Sequence, residues 1–372
     1  MTSLSRAVGQ LLTVGFDGLT LPDELRVRLT ASEVGGVMLF RPNIGDPAQV
    51  ASLVAAARSA GPADAPCLVA VDQEGGLVQR LRAPLTVWPD MLSVGAAQDL
   101  ERTFQVGQAL GAELAALGIG WDFAPVLDVH TNPANPVIGN RAFGTTPELA
   151  AAQALAFWRG LRAAGLVGCG KHFPGHGDTR TDSHLDLPVV EHDLARLRRV
   201  ELAPFAAAAA AGIDSLMTAH VLYPALDPER PATLSRRILT DLLRGELGFA
   251  GVIVSDDLGM KAVADRHPIE ELAVMAVTAG ADVLLIREPF ERQRRAFEAL
   301  LHAAEQSAEL RGRVLESAER VRLMKTACRV GPPATGAALL ALLGTAEHQG
   351  LAASFPKVDP RSPVEASPVV DA

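Results

Sequence analysis

Short apolar segments recur along the 372-residue chain, separated by longer segments rich in Ala, Leu and Arg. This alternation is typical of repeated β-strand and α-helix units that build a parallel sheet. The segments predicted to be strands are Gln10–Phe16, Gly36–Phe40, Leu68–Asp72, Trp121–Asp128, Gly165–Lys171, Ser215–Val221, Val252–Asp256 and Asp282–Ile286. They are almost continuously hydrophobic, as strands covered on both faces are. The pattern predicts an α/β fold, a (β/α)8 TIM barrel, although an open doubly wound sheet also fits the alternation.

The barrel pattern extends to about residue 330, so we expect residues 1–330 to form a single catalytic domain, a size that barrels commonly reach. Residues 330–333 break the pattern, and an Ala/Leu-rich helix is predicted near 337–348. From Ser354 the chain is rich in proline and has no apolar period. We therefore expect residues 331–372 to form a C-terminal helix and a loose tail.

Composition narrows the class of protein. Apolar residues make up 48% and charged residues 21%, which is typical of a globular protein with a sizeable core. The formal net charge of -9 argues against nucleic acid as a partner, because binding to phosphates needs clustered cations. The longest apolar stretch, Leu202–Leu222, is mostly alanine and contains Asp214, so it is a poor membrane span.

The three cysteines, Cys67, Cys169 and Cys328, are widely spaced and follow neither a zinc nor a disulfide pattern. The apolar run 11–16 is too short for the core of a signal peptide. Both features favour a cytoplasmic location. The oligomeric state is left open.

Polar side chains follow most of the predicted strands. They are Arg41, Asp72, Glu74, Asp128, Lys171, His172, His220, Asp256 and Asp257. Because the carboxyl ends of barrel strands meet at one rim, where barrel active sites lie, we expect these side chains to form one site.

The segment richest in potentially reactive side chains runs from Lys171 to His184. It contains three histidines and two aspartates within fourteen residues, interrupted by Gly and Pro. This composition predicts a long, rigid loop at a strand end. The spacing Gly165 to Lys171 resembles a phosphate-binding loop, but His172 replaces the required Ser or Thr and Pro174 would stop the helix. We therefore reject nucleotide binding.

Histidines 172, 176, 184 and 220 could also hold a metal ion, but neither His-x-His nor Glu-x-x-His spacing occurs. We predict no metal site and no cofactor. Asp182 lies two residues before His184, a position from which a carboxylate can fix the imidazole tautomer and stabilise its charged form. The pair is predicted to be a proton shuttle.

Three further motifs lie at strand ends. The strand before Asp256 and Asp257 should direct only one of them to the barrel mouth, and the other is expected to cap the following helix. In the motif Asp72 to Gly76, paired glycines would let a ligand approach the backbone, and Asp72 could accept two sugar hydroxyls. Arg141 stands in a turn-rich loop, where a lone arginine is more often a surface residue.

Together these segments resemble glycoside hydrolase family 3, and within it the single-domain bacterial β-N-acetylglucosaminidases of cell-wall recycling. The resemblance covers about residues 8 to 330 in order, and the loop ending at His184 is its most specific part. It implies that Asp256 is the nucleophile and that His184, with Asp182, is the general acid/base. The residues implied to bind the N-acetylglucosamine ring are Asp72, Arg80, Arg141, Lys171 and His172. The chain departs from the family pattern at Leu77, where Arg is expected, and at Gly259, where Ser or Asn is usual.

The implied activity is that of a retaining β-N-acetylhexosaminidase, which removes terminal β-linked N-acetylglucosamine from muropeptide fragments through a covalent glycosyl-Asp intermediate. Its partner is a carbohydrate. Three alternatives stay open: a substrate-assisted hexosaminidase that uses Asp256 and Asp257, a metal-dependent barrel hydrolase, and a sugar-binding barrel without catalysis.

Overall fold

The computed structural model describes residues 3–179, 187–287 and 289–360. In chain order its strands are β1 (Leu12–Val14), β2 (Gly36–Leu39), β3 (Leu68–Val71), β4 (Gln73–Gly75), β5 (Val78–Gln79), β6 (Trp121–Asp122), β7 (Val167–Phe173), β8 (Ser215–Thr218), β9 (Val252–Val254) and β10 (Leu284–Ile286). Eight of them form one parallel sheet in the order β10-β1-β2-β3-β6-β7-β8-β9, and β4 and β5 form a separate hairpin. The sheet closes on itself because the Ser255 N–H, just after β9, donates to the carbonyl of Val283, just before β10, at 2.8 Å.

Helices form the outer layer. They are α1 (Ser3–Gln10), α2 (Asp23–Thr30), α3 (Pro47–Ala60), α4 (Met91–Ala96), α5 (Leu100–Ala116), α6 (Pro147–Ala163), α7 (Leu194–Arg199), α8 (Ala203–Ala211), α9 (Lys261–Ala264), α10 (Ile269–Ala279), α11 (Phe290–Gln306), α12 (Ala308–Ala327), α13 (Gly336–Leu342) and α14 (Ala346–Ala353). Short 3₁₀ turns occur at Arg41–Asn43, Gly139–Arg141 and Ala232–Leu234, and a π-helical segment spans Arg237–Glu246. None of the helices in the described ranges is long and apolar enough to cross a membrane.

The two largest hydrophobic clusters of the described residues are separate because successive strand residues point to opposite faces. Inward residues such as Met38, Trp121 and Val254 fill the barrel, and Val321 and Met324 of α12 join them. Helix α12 therefore plugs the amino-terminal end of the barrel. Outward strand residues pack against the helical layer.

The predicted eight-stranded barrel is confirmed, although most of its strands are shorter than the apolar segments. The hairpin of β4 and β5 was not predicted. The helix expected near residues 337–348 is two helices, which part at Leu343–Thr345. Gly344 causes the break, since its φ is +55° and a Cβ there would lie 2.1 Å from the carbonyl oxygen of Pro84.

Candidate active site

A cavity of about 290 Å³ opens at the carboxyl ends of the strands. Six of the predicted site residues line it: Asp72, Arg80, Arg141, Lys171, His172 and Asp256. The other two, Asp182 and His184, lie outside the described residues. The structure therefore brings together residues that are up to 184 positions apart in sequence, from Asp72 to Asp256.

Strand alternation places the first ion pair of the site. Leu68 and Ala70 face the barrel interior, and Asp72 continues the same alternation beyond β3. Lys171 follows inward-facing Cys169 on β7 in the same way. As a result, Lys171 Nζ donates to Asp72 Oδ1 at 2.8 Å.

Glu74 is the centre of a buried charge cluster. Arg141 binds it with two parallel hydrogen bonds, Nε to Oε2 and Nη2 to Oε1, each 2.8 Å long. Lys171 Nζ lies 2.5 Å from Oε1. Burial alone would raise the pKa of Glu74, but the two cations hold it well below its usual range. Arg141 is thus a largely buried partner of a carboxylate, with 13% of its side chain exposed, rather than a surface residue.

Glu74 was not among the predicted ligand-binding residues, although it was noted at the rim. It is two residues after Asp72, so period-two alternation could have placed both carboxylates on one face. The paired glycines that follow also form a turn. Gly75 and Gly76 have φ values of +100° and +58° and make the hairpin turn.

Asp128 orients the histidines of the cavity. Its Oδ2 lies 2.7 Å from His172 Nδ1, and the backbone N–H of His176 donates to its Oδ1 at 2.6 Å. Because Nδ1 of His172 is held in this way, Nε2 is the atom that lies toward Arg141, 3.4 Å from Nη2. Asp128 was noted only as a rim residue, and the contact with a histidine 44 positions away is invisible in the sequence.

His176 also lines the cavity and lies edge-on to His172, with 5.7 Å between ring centroids. Its Nδ1 is 2.7 Å from the hydroxyl of Thr179. Burial, reinforced by the charge of His172, lowers the pKa of His176 to about 4. His176 is therefore neutral at pH 7.

Asp256 lies in the cavity as a half-buried carboxylate. Burial would raise its pKa, but His220, His172 and the N–H of Asp257, 2.8 Å from Oδ1, bring the pKa below its ordinary value. The group is ionised at neutral pH, as a nucleophile must be.

Asp257 lines the same cavity, but its Oδ1 accepts the backbone N–H groups of Gly259 at 2.9 Å and Arg287 at 3.2 Å. The expectation that it caps the next helix is wrong, because Met260 occupies the N-cap of α9. It instead closes a turn and ties it to the loop after β10. Burial raises its pKa, and its Oδ1 is already engaged by these two backbone N–H groups.

A metal site is not evident in the parts of the chain that the structure describes, where no three His, Cys, Asp or Glu side chains are grouped as ligands. His220, one of the suggested ligands, has Nδ1 2.8 Å from the hydroxyl of Thr233 and Nε2 3.0 Å from the carbonyl of Asp257.

Comparison with known proteins gives a consistent match. The family model described as glycosyl hydrolase family 3 N terminal domain matches residues 3–324. The β-hexosaminidase of Pseudomonas aeruginosa PAO1 is 44% identical over 280 residues, which cover 74% of this chain and 81% of that protein. Among solved structures, the family 3 β-N-acetylglucosaminidase of Paenibacillus sp. FPU-7 superposes with a TM-score of 0.88 at 44% identity, covering 95% of this chain and 68% of that one.

NagZ from Neisseria gonorrhoeae, in complex with N-trifluoroacetyl-D-glucosamine, has a TM-score of 0.76 and 32% identity, over 92% of this chain and 96% of that one. The chain therefore belongs to glycosyl hydrolase family 3, and it is a glycoside hydrolase of the β-hexosaminidase class.

Proposed function

We propose that this enzyme is a retaining β-N-acetylhexosaminidase that removes terminal β-linked N-acetylglucosamine from muropeptide fragments during peptidoglycan recycling. Asp256 is the nucleophile, and His184, oriented by Asp182, is the general acid/base. The observation that carries the proposal is the ionised, half-buried carboxylate of Asp256 in the same cavity as the cationic cluster around Glu74. This shared cavity supports the assignment of a nucleophile beside a set of sugar-binding donors.

In the first step, a carboxylate oxygen of Asp256 attacks the anomeric carbon while the bond to the leaving oxygen breaks. Protonated His184 gives its proton to that oxygen. In the second step, water attacks the anomeric carbon, neutral His184 takes a proton from the water, and the bond to Asp256 breaks. Two inversions retain the β configuration.

The sugar ring is bound by groups that need no rearrangement. Asp72 is oriented by Lys171 at 2.8 Å and by Arg80 at 3.2 Å, and its remaining lone pairs can accept sugar hydroxyls. Lys171, which is 2% exposed, keeps its charge because Asp72 and Glu74 raise its pKa despite burial. His172 is fixed by Asp128. Such preorganised donors and acceptors stabilise charge changes without the cost of reorientation.

Selectivity for an acetamido sugar is supported by the relatives. The gonococcal NagZ structure contains an N-acylated glucosamine, and the Paenibacillus relative is described as a β-N-acetylglucosaminidase. We expect an aryl β-N-acetylglucosaminide to be cleaved with a higher kcat/KM than the matching β-glucoside. Equal or faster cleavage of the glucoside would contradict the assignment.

The proposal includes a cytoplasmic location. All three cysteines are free thiols, and Cys67 and Cys169 are buried, as in proteins of a reducing compartment. Fractionation of cells with an antibody against the chain tests this part separately from the chemistry.

Covalent trapping tests the mechanism. A 5-fluoro N-acetylglucosaminyl donor should accumulate an adduct, and peptide mapping should locate the label on Asp256. The Asp257→Asn variant is the matched control, and it should still be labelled. A label on Asp257, or an α anomer as the first-formed sugar, would contradict the mechanism. Failure to trap, with turnover that needs the 2-acetamido group, would favour the substrate-assisted alternative.

A further inference from the structure

A second cavity, of about 270 Å³, adjoins the catalytic cavity across the β4–β5 hairpin. Successive hairpin residues divide between the two cavities, since Leu77 and Gln79 line the second and Val78 lines the catalytic one. Arg80 lines both. A ligand that filled the catalytic cavity and continued past Arg80 would therefore enter the second cavity.

The second cavity has a surplus of positive charge. Arg41, Arg80 and Arg82 line it, together with a single acidic residue among its described lining residues, Asp46. Asp46 is already engaged, because its Oδ1 accepts the Gln49 N–H at 2.9 Å as the N-cap of α3. Three guanidinium groups at one small cavity are conspicuous in a chain with a formal net charge of -9.

Most N–H groups of these arginines form no hydrogen bond to the described residues. Within the described ranges, neither Arg41 nor Arg82 forms an ion pair with a carboxylate, and Arg82 donates only to the Gly76 carbonyl, at 2.8 Å. Arg80 donates one bond to Asp72, while its buried Nε has no partner. A buried N–H without an acceptor is costly, and an anionic ligand would supply one.

We infer that this cavity, lined by Arg41, Arg80 and Arg82, is a subsite that binds a carboxylate on the leaving-group part of the substrate and so selects acidic aglycones. The inference rests on the proposed function, because it requires the cleaved sugar to occupy the catalytic cavity. Guanidinium groups match carboxylates geometrically and stay charged at all physiological pH values. We call it the arginine subsite.

Apolar surface completes the subsite. Leu77 is 73% exposed, and Ile44 lines the same cavity. Leu77 thus offers an apolar contact beside the three guanidinium groups. The arginine subsite is therefore suited to an aglycone that carries both an acid and alkyl or ring carbon.

The test compares substrates that differ only at the acid. The probes are N-acetylglucosaminyl-β-1,4-N-acetylmuramic acid, its methyl ester and N,N′-diacetylchitobiose, which share the leaving 4-oxygen. The variant is Arg41→Gln/Arg82→Gln. The control is Arg159→Gln/Arg237→Gln, which removes the same charge from exposed residues of α6 and the π-helical segment, outside both cavities.

The readout is the ratio of kcat/KM for the acid to kcat/KM for its ester, which does not depend on the fraction of folded enzyme. The unmodified enzyme and the control should prefer the acid by roughly tenfold at low salt, the size expected for one or two charge-assisted hydrogen bonds. The double variant should bring the ratio near one. Arg41→Lys/Arg82→Lys, which keeps the charge but loses the guanidinium fork, should retain part of the preference.

Two outcomes would overturn the inference: a ratio that is the same in the double variant as in the unmodified enzyme, or an equal fall in kcat/KM for all three probes. Failure of the proposed function is distinct from both, because the unmodified enzyme would then cleave none of the three probes and no aryl β-N-acetylglucosaminide.

Discussion

Two buried charge clusters lie at opposite ends of the barrel. At the carboxyl end, Glu74 binds Arg141 and Lys171. At the amino end, Asp282 binds Arg244, with Arg313 at 2.6 Å and Arg320 at 3.4 Å. Both carboxylates are buried, at 1% and 0% side-chain exposure. Burial and charge alone do not distinguish them.

The difference lies in what the cations contact besides the carboxylate. Arg244 also donates to the carbonyls of Phe249 and Gly251, and Arg313 to that of Gly280, so these arginines hold the chain just before β9 and β10. Arg141 and Lys171 line the catalytic cavity together with Asp256, whereas Arg244, Arg313 and Arg320 line a separate cavity of about 640 Å³ that shares no described lining residue with it. Because barrel active sites lie at the carboxyl ends of the strands, we expect the Glu74 cluster to serve ligand binding and the Asp282 cluster to serve stability.

The largest effect should follow from a change at the carboxyl end. Asp256→Asn keeps the shape of the side chain but removes the nucleophile, so turnover should fall by roughly 10⁴-fold or more while sugar binding stays measurable. Steady-state kinetics and calorimetric titration with N-acetylglucosamine are the measurements. Asp257→Asn is the control, with a smaller loss expected. Near-normal turnover of Asp256→Asn would rule out Asp256 as nucleophile.

Replacement of His184 should rank second. His184→Ala should lower kcat by about 10²- to 10⁴-fold, the range for loss of a general acid/base. The deficit should shrink for aryl leaving groups of low pKa, which need little protonation. A plot of log kcat against leaving-group pKa measures this. If the loss were equal for good and poor leaving groups, His184 would have another role and His176 would be the next candidate.

The comparison is tested most directly by a matched pair of variants. Asp282→Ala and Glu74→Ala each leave buried cations without a partner, and each should lower the free energy of unfolding by about 3–5 kcal/mol. Only Glu74→Ala should also raise KM, because it releases Arg141 and Lys171 in the cavity. Urea unfolding and kinetics normalised to folded enzyme separate the two. If Asp282→Ala raised KM as much as Glu74→Ala does, the two clusters would not differ in function.

A smaller effect should appear in the pH dependence of stability. The folded pKa of His176 is about 4, below the ordinary 6.5, so the unfolded chain binds a proton first as the pH falls. Stability from neutral His176 is therefore present above pH 6.5 and is lost as the pH falls toward 4. In the His176→Asn variant, the free energy of unfolding should therefore fall by up to about 3 kcal/mol less over this pH range than in the unmodified enzyme.

The measurement is the free energy of unfolding at several pH values between 4 and 7. His302→Asn, at an exposed histidine of α11, is the control. An identical pH slope for the unmodified enzyme and His176→Asn would refute the assignment of a lowered pKa.

The sequence was most informative about the barrel strands and the rim. Near-continuous apolar segments predict buried parallel strands, and the polar residue that ends each segment then falls at the carboxyl end. Contacts between side chains that follow different strands were not predictable from the sequence. Glu74 and Arg141 are 67 positions apart, and only the closed sheet brings them together. The role of Asp257 was mispredicted because β9 ends at Val254, so strand alternation does not govern the turn that follows.

Removal of metal ions should leave activity unchanged. Treatment with a chelator therefore tests whether the histidines at the carboxyl end of the barrel bind a metal. Nδ1 of His172 is committed to Asp128 at 2.7 Å, and both ring nitrogens of His220 lie within hydrogen-bonding distance of protein oxygens. An Nδ1 held by a carboxylate also occurs in metal-ligating histidines, so the expectation rests on His220 and on the lack of a grouped set of three ligands among the described residues. Activity on an aryl β-N-acetylglucosaminide should therefore be unchanged after dialysis against EDTA. A preparation that EDTA inactivates and zinc restores would assign the histidines to a metal and favour the metal-dependent hydrolase.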